Sequence, residues 1–321
     1  MSLNESVVEF LSGYFSTNDR GSKTRAAYGS DLNQFRTFAG ADLPLLSVSG
    51  AVVEHWAAHL RENGYAPASI RRKMAALKVF CFYWVRKGKL PESPFWRVKL
   101  SFGRIMKLPR TLTERETRAL LEQANRNCSA NSSHTKAKPS SRRTSRRYRL
   151  LRNLALVDLL FATGMRVGEV SSLDLSDFAV QDGVFKVQGK GGRNRLAFTV
   201  DVETLRIQGE HFDLRRQMET ESPALFLNAA GRRLSTQGIS KILAQLRRDA
   251  GIDRHVTPHM LRHTVATLLL RNGADIRVVQ EFLGHSSIAT TQRYTHIAKD
   301  HLVGVLQRHH PSISIRAGAR T

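Results

Sequence analysis

The sequence predicts a mainly α-helical protein of two domains, with a small β-sheet in the second domain (an α+β fold class). Three observations lead to this prediction. The 321 residues exceed the usual size of one domain, and apolar residues recur at helical spacing along most of the chain. The third observation is a pair of segments with strand character, 184–188 and 196–200, which flank a glycine-rich turn.

Amphipathic helices are predicted through the first hundred or so residues. The expected helices cover 5–14, a segment from Ser22 or Thr24 to Phe38, a segment from Ser49 to about Asn63, and a segment that begins near Pro67 and Ser69. In the last of these, the apolar residues form one stripe, made of Ile70, Met74, Leu77, Cys81 and Trp84.

Basic residues of this fourth helix lie off the apolar stripe. They are Arg71, Arg72, Lys73 and Lys78. One interpretation is a solvated basic face. The other is a helix laid along DNA phosphates or into a major groove.

Prolines and glycines interrupt the helical pattern before the second domain. We predict an N-terminal helical domain over 1–102, a linker over 103–112 and a second domain over 113–321. The second domain begins with a helix at Thr113, where Glu116 completes a capping box.

A basic insertion and further helices are predicted within the second domain. Residues 126–147 are rich in Ser, Asn, Lys and Arg and lack apolar periodicity, which indicates a flexible surface segment that contacts DNA non-specifically or is merely disordered. The helices expected after it cover 149–161, 235–250, 258–271, 276–283, 287–294 and 298–306.

The charge of the chain is strongly positive, with 50 Lys and Arg against 27 Asp and Glu and a net charge of +23. Such an excess favours a polyanionic partner, above all nucleic acid, over a basic surface without a ligand or a membrane-surface protein. No apolar run is as long as a membrane span, and the N-terminus lacks a basic start typical of a secretory signal. We therefore expect a cytoplasmic protein. Cys81 and Cys128 have no zinc-site spacing and require no disulfide.

Several residues suit the chemistry of phosphodiester transfer, which needs a nucleophile, donors for the extra negative charge and an acid for the leaving oxygen. Arg166 follows Gly164, a residue suited to end one helix, and so lies at the start of the next helix, where backbone N–H groups also favour an anion. His259 and Arg262 are three residues apart on one helix face, which pairs a proton donor with a bidentate phosphate clamp.

Tyr294 and Lys190 are two further candidate catalytic residues, and each depends on the groups around it for its chemistry. A tyrosine has a pKa of about 10, so Tyr294, which follows His285 by nine residues, would need a positively charged site to act as a nucleophile. Lys190 lies in the glycine-rich turn and could reach a leaving 5′ oxygen. The alternatives are a surface arginine at 166, a structural histidine at 259, a core or surface tyrosine at 294 and an exposed turn lysine at 190.

The order and spacing of these motifs resemble those of the tyrosine recombinase family, which includes the phage integrases and the Xer-type recombinases. The matching segments are TGMRVGEV (163–170), GKGGRNR (189–195), PHMLRH (258–263), LGHSS (283–287) and TTQRYTH (290–296). The resemblance implies the catalytic set Arg166, Lys190, His259, Arg262, His285 and Tyr294, and it implies that Glu169 helps to organise the site.

The resemblance also extends outside the catalytic motifs. Residues 23–35 and 67–84 resemble the N-terminal core-binding (SAM-like) domain of the family, and LPRTLTERE (108–116) resembles the entry into its catalytic domain. The basic insertion at 126–147 is the main departure. The implied architecture is a C-shaped clamp, in which the N-terminal domain holds one face of DNA and the catalytic domain holds the other.

The family resemblance implies a mechanism without a metal or another cofactor. Tyr294 would form a 3′-phosphotyrosyl link, Arg166 and Arg262 would hold the non-bridging oxygens, His259 would assist proton transfer, His285 would bind a phosphate oxygen, and Lys190 would protonate the 5′ hydroxyl. The implied partner is double-stranded DNA with inverted-repeat core sites. Strands would be exchanged through a Holliday junction by a tetramer of this chain, or of this chain and a related recombinase, at the bacterial nucleoid.

Three other functions compete with site-specific recombination. A type IB topoisomerase-like enzyme would use much the same chemistry on one duplex, although the match to a core-binding domain favours recombination. A non-catalytic DNA-binding protein of the same fold is disfavoured by the complete catalytic set. A metal-dependent nuclease is weaker still, because no paired carboxylates or His-x-x-x-His arrangement lies near the candidates.

Overall fold

A computed structural model of the chain describes residues 1–17, 22–96, 98–100, 111–130, 141–189, 194–284, 304–311 and 315. The chain divides into two units, Met1–Lys107 and Leu108–Thr321. Within the described ranges, no helix is long and apolar enough to cross a membrane.

Amphipathic helices build the first unit, as predicted. They are α1 (Leu3–Thr17), α2 (Ser22–Ala39), α3 (Gly50–Glu62) and α4 (Pro67–Arg86). The start of α3 is set by Ser49, whose hydroxyl accepts a hydrogen bond from the Val52 N–H, and α4 starts at Pro67, which suits a first helical turn. The apolar faces pack into one core that contains Phe10, Phe35, Phe80 and Trp84.

The apolar stripe predicted on α4 is buried. It includes Cys81, and burial raises the pKa of the Cys81 thiol to about 12. The prediction for Lys73 is wrong, because this side chain lies in the core and not on a basic outer face. Its Nζ donates to Asp31 Oδ1 at 3.0 Å and to Gln34 Oε1 at 2.7 Å. Lys73 is three residues after Ile70 on the same helix, so it borders the apolar stripe, and α2 supplies the carboxylate that makes its burial possible.

The second unit is a helical domain with one small sheet. Its helices are α5 (Glu114–Ser129), α6 (Ser141–Thr163), α7 (Val167–Ser172), α8 (Val202–Arg216), α9 (Thr236–Asp249), α10 (Pro258–Arg271) and α11 (Ile276–Leu283). Helix α6 is the central element and packs against α5, α8 and α10. The predicted capping box of α5 is confirmed, since Thr113 and Glu116 exchange hydrogen bonds.

The sheet has the strand order β1-β2-β3 and is antiparallel throughout, with β1 (Phe178–Ala179), β2 (Val184–Gln188) and β3 (Asn194–Phe198). Strand β2 has its predicted bounds, whereas β3 begins two residues earlier than the predicted 196–200. The reason lies in the ladder, which pairs Gln188 with Asn194. Backbone pairing includes the polar residues Asn194 and Arg195, which apolar patterning does not detect.

Helix α8 has no counterpart in the sequence prediction, because the face that it buries is partly polar. Buried polar side chains recur along it at helical spacing, namely Thr204, Gln208, His211 and Arg215. Gln208 donates to the Ala155 carbonyl of α6 at 2.8 Å, and Arg215 donates to the Ala224 carbonyl at 2.9 Å. Hydrogen bonds thus allow a polar stripe to face the core.

The segment predicted as a flexible insertion differs from that prediction at both ends. Helix α5 continues to Ser129 and α6 begins at Ser141, while 131–140 lie outside the described residues. Arg and Lys favour helix almost as strongly as Leu. Within α6, the Tyr148 hydroxyl accepts a hydrogen bond from the Leu227 N–H at 2.9 Å. The predicted helix 287–294 lies outside the described residues. Of the predicted helix 298–306, only 304–306 are described, and they belong to a helical segment over 304–309.

Candidate active site

Arg166 lies in the short connection between α6 and α7. Gly164 follows the end of α6 with a φ of 57°, as its sequence position predicts, and Arg166 immediately precedes α7. The Glu169 carboxylate accepts a hydrogen bond from the Arg166 backbone N–H at 2.9 Å and another from Arg166 Nη1 at 2.7 Å. Glu169 therefore holds both the backbone and the guanidinium of Arg166, which agrees with the organising role implied by the family.

Arg262 lies on α10 and is buried. The start of α10 is set by Thr257, whose hydroxyl accepts from the Met260 N–H, and by Pro258 in the first turn. Arg262 Nη1 donates to the Gly164 carbonyl at 2.7 Å, and Nη2 donates to the Leu283 carbonyl at 2.7 Å. This side chain therefore joins the end of α6 to the end of α11.

Arg195, on β3, belongs to the same cluster, although its place in the sequence predicts no role for it. Its Nη2 pairs with Glu169 Oε2 at 2.8 Å, and its Nη1 donates to the Phe282 carbonyl at 3.3 Å. One signal could have found it: residues 195 and 197 share a face of the strand, and Ala197 is buried. A cation on the inward face of a strand requires a buried partner.

The three arginines converge on the C-terminal end of α11. Phe282, Leu283 and Gly284 are consecutive, and their carbonyls accept from Arg195, Arg262 and Arg166 respectively, the last at 3.2 Å. The last carbonyls of a helix lack intrahelical partners and carry the negative end of its dipole. As predicted, Gly284 ends the helix, with a φ of 65°. The guanidinium groups thus meet at the point where the chain continues to His285.

The electrostatics of this cluster favour an anion. Burial by itself raises the pKa of the Glu169 carboxyl, but the charge of Arg195 and hydrogen bonds from Arg166 and Arg195 outweigh it and hold that pKa below its usual range. Burial, and then the charges of Arg166 and Arg195, lower the pKa of Arg262 to about 10, against the opposing effect of Glu169. Three guanidinium groups and one carboxylate leave two formal positive charges, which suit a phosphate.

The structure describes three of the six predicted catalytic residues. Arg166 and Arg262 meet at the end of α11, and His259 lies exposed in the first turn of α10, one turn before Arg262 on the same helix. Lys190, His285 and Tyr294 lie outside the described residues. Among the described His, Cys, Asp and Glu residues, no group of three or more could hold a metal ion.

Two family sequence patterns match the chain. The phage integrase family matches residues 110–301, and the N-terminal SAM-like domain of phage integrases matches residues 7–88. The two matches lie in the second and first structural units respectively.

Curated relatives match nearly the whole chain. A tyrosine recombinase XerD from Halalkalibacterium halodurans is 35% identical over 319 residues, which cover 96% of this chain and 98% of the relative. A tyrosine recombinase XerC from the same organism is 36% identical over 292 residues, which cover 88% and 90% of the two chains.

Solved structures share the fold. The Tn1549 transposon integrase in complex with transposon right end DNA aligns with a TM-score of 0.68 and 19% identity, over 96% of this chain and 99% of that chain. A lambda integrase in a tetramer bound to a Holliday junction aligns with a TM-score of 0.65 and 18% identity, over 92% and 81% of the two chains. At this identity the likeness concerns the fold alone.

Proposed function

The chain is a tyrosine recombinase of the phage integrase family, an enzyme that cuts and rejoins DNA at specific sites, and from this premise we propose that Tyr294 is its nucleophile. The other proposed catalytic residues are Arg166, Lys190, His259, Arg262 and His285. The observation that carries the proposal is the convergence of Arg166 and Arg262 at the end of α11, directly before the segment that contains His285 and Tyr294.

Arg166 and Arg262 are proposed to bind the non-bridging oxygens of the scissile phosphate. A guanidinium has five N–H donors, more than the bonds to Glu169, Gly164 and the α11 carbonyls engage. The Arg166 side chain is 41% exposed, so phosphate can approach it from solvent. Charge-assisted bonds of this kind stabilise the negative charge that develops in the transition state.

The proposed reaction needs no external energy source. The Tyr294 hydroxyl attacks phosphorus, His259 receives the phenolic proton, and the bond from phosphorus to the 5′ oxygen breaks while Lys190 protonates that oxygen. His285 binds a phosphate oxygen. The 3′-phosphotyrosyl bond conserves the energy of the broken bond, so a 5′ hydroxyl can reverse the step without ATP, and the cations of the protein take the place of a metal.

The proposed substrate is double-stranded DNA with inverted-repeat core sites, to which a core-binding domain (1–102) and a catalytic domain (113–321), joined by a linker (103–112), would each bind. The basic insertion would add non-specific phosphate contacts. Strands would be exchanged through a Holliday junction within a tetramer of this chain, or of this chain and a related recombinase. The lambda integrase tetramer on a Holliday junction supports this assembly by likeness of fold, and the bacterial relatives support a cytoplasmic location at the nucleoid.

The Tyr294→Phe variant tests the nucleophile. The substrate is a nicked suicide duplex with the sequence that the wild-type chain selects and cleaves from a random pool. We expect the variant to bind this duplex with wild-type affinity and to form no covalent adduct, because it lacks only the attacking oxygen. An adduct yield equal to that of the wild type would remove Tyr294 from the role. Relaxation of a supercoiled plasmid without the selected site would indicate a topoisomerase instead.

A further inference from the structure

We propose that Arg195 is a positioning residue for strand transfer, which shares the Glu169 carboxylate with Arg166 and thereby keeps the Arg166 guanidinium available to the scissile phosphate. This inference rests on the proposed function of Arg166. It concerns the last residue of the GKGGRNR motif, to which the resemblance assigns no catalytic role and which acts through its neighbours.

The carboxylate of Glu169 is divided between the two arginines. Oε1 accepts from Arg166 Nη1 at 2.7 Å, whereas Oε2 accepts from Arg195 Nη2 at 2.8 Å and from the Arg166 backbone N–H at 2.9 Å. Arg166 therefore binds Glu169 through one nitrogen of its guanidinium, and its other terminal nitrogen points to the Gly284 carbonyl. A single-point contact leaves Arg166 oriented and still able to bind an incoming anion.

Removal of Arg195 would change this division. Only 9% of the Glu169 side chain is exposed, so water cannot fully replace the cation that is lost with Arg195. A buried carboxylate with too little compensating charge attracts the nearest remaining cation. That cation is Arg166, and a fork-to-fork pair with both carboxylate oxygens is its most stable geometry. Such a pair would compete directly with phosphate for the Arg166 guanidinium.

Arg195 also fixes the end of α11. Its Nη1 donates to the Phe282 carbonyl at 3.3 Å, and a Cβ added to Gly284 would lie 2.6 Å from Arg195 Cδ. The backbone at Gly284, directly after α11, therefore packs closely against the stem of this side chain. The same residue thus orients Arg166 and holds the helix end from which the chain continues toward Tyr294.

Removal of the Glu169 carboxylate together with Arg195 distinguishes a positioning role of Arg195 from general stabilisation of the fold. Single-turnover adduct formation on the suicide duplex is measured for Arg195→Met, Glu169→Gln and the double variant. We expect Arg195→Met to be slower by about 100-fold, the order of loss caused by a displacement of about 1 Å in a catalytic group. Glu169→Gln loses the ion pair but keeps an acceptor for Arg166, and we expect it to be about 10-fold slower.

The double variant tests whether Glu169 captures Arg166 when Arg195 is absent. With Glu169→Gln present, no carboxylate remains to capture Arg166, so the double variant should react faster than Arg195→Met alone. It should keep only the loss of Glu169→Gln itself and the loss that follows from the missing bond to the Phe282 carbonyl. If the two losses multiply instead, the inference about Arg195 is overturned. Urea unfolding of each variant establishes that the compared proteins are folded.

Arg233 provides a matched control. It pairs with Asp174 and donates to the Ser171 and Leu173 carbonyls at 3.1 Å, so it also joins a carboxylate and backbone carbonyls, but it binds none of the cluster residues. We expect Arg233→Met to lower stability and to leave the cleavage rate of the folded protein unchanged.

The outcomes separate the two proposals. A wild-type chain that forms no adduct would contradict the proposed function itself. A wild-type chain that reacts, together with an Arg195→Met variant that cleaves as fast as Arg233→Met, would contradict only the role of Arg195.

Discussion

The contact between Gly284 and Arg195 illustrates how much of the site depends on single residues. Gly284 has a left-handed conformation that disfavours other residues, and its lack of a side chain leaves room for the arginine stem. A glycine at the end of a helix commonly serves only as a cap. Here the cap also shapes the place where three guanidinium groups meet.

The Gly284→Ala variant is predicted to lose activity beyond its loss of stability. The left-handed backbone costs an alanine about 1–2 kcal/mol, and the new methyl group would displace Arg195 and slow adduct formation by at least about 10-fold. Gly251 is the control, since its φ of 67° is nearly the same and a Cβ there meets nothing within 4 Å. Gly251→Ala should lose similar stability and cleave at the wild-type rate. Equal cleavage rates for the two variants would contradict the prediction.

At the residue scale, the sequence predicts catalytic roles for Arg166 and Arg262 but no role for Arg195, which contacts the same cluster. Arg166 follows a helix-ending glycine, and Arg262 lies one turn after Pro258, so local rules place both on helix starts. The role of Arg195 depends on contacts with Glu169 and Phe282, which are 26 and 87 residues away in the chain. Such distant contacts are set by tertiary packing and not by local spacing.

At the scale of elements, α8 shows why apolar periodicity is an incomplete guide. Its buried face includes His211, which is stacked on Phe226 with ring centroids 4.9 Å apart. Among the described residues, neither ring nitrogen of His211 has a hydrogen-bond partner. Burial, and then the charges of Arg152 and Arg215, lower the pKa of His211 from 6.5 to about 3. This helix therefore buries a neutral imidazole where a sequence pattern would call for an apolar residue.

The pKa of His211 predicts a specific acid sensitivity of the second unit. Below pH 6.5 the unfolded chain binds a proton at this residue, whereas the folded chain does not until about pH 3. The stabilising contribution is thus complete above pH 6.5 and falls as the pH decreases toward 3, by up to about 1.4 kcal/mol per pH unit. We expect His211→Leu to remove this part of the slope in urea unfolding between pH 4 and 7.

Exposed His255 provides the control for this prediction. His255→Leu should retain the wild-type dependence of the free energy of unfolding on pH. A His211→Leu variant with the same slope as the wild type would show that this imidazole does not contribute to acid sensitivity.

Other elements were predictable because their signals are local. Helices α10 and α11 have the predicted bounds, since Pro258 starts the first and Gly284 ends the second. Strand β3 begins two residues before its predicted start, because its ladder begins at polar Asn194. Lys73 lies in the core and not on the predicted basic face, because its partner Asp31 comes from another helix. Errors thus arose where a tertiary partner compensates a polar side chain.

At the scale of the whole molecule, the basic charge, the helical first unit and the motif order all point to one activity. The family patterns match both units, and the arginine cluster lies in the second. The fold class was predictable, because two helical patterns and one hairpin determine it. The organisation of the arginine cluster was not, since it is built from α7, α10, β3 and the end of α11, which meet only in the folded chain.

Mapping of the covalent adduct by mass spectrometry shows which residue attacks the DNA. The wild-type chain is reacted with the suicide duplex in EDTA, and the product is digested with nuclease and trypsin. We expect a nucleotide attached through phosphate to Tyr294, in the peptide that follows Arg293. A nucleotide on any other residue, or an adduct that forms only when magnesium is present, would contradict it.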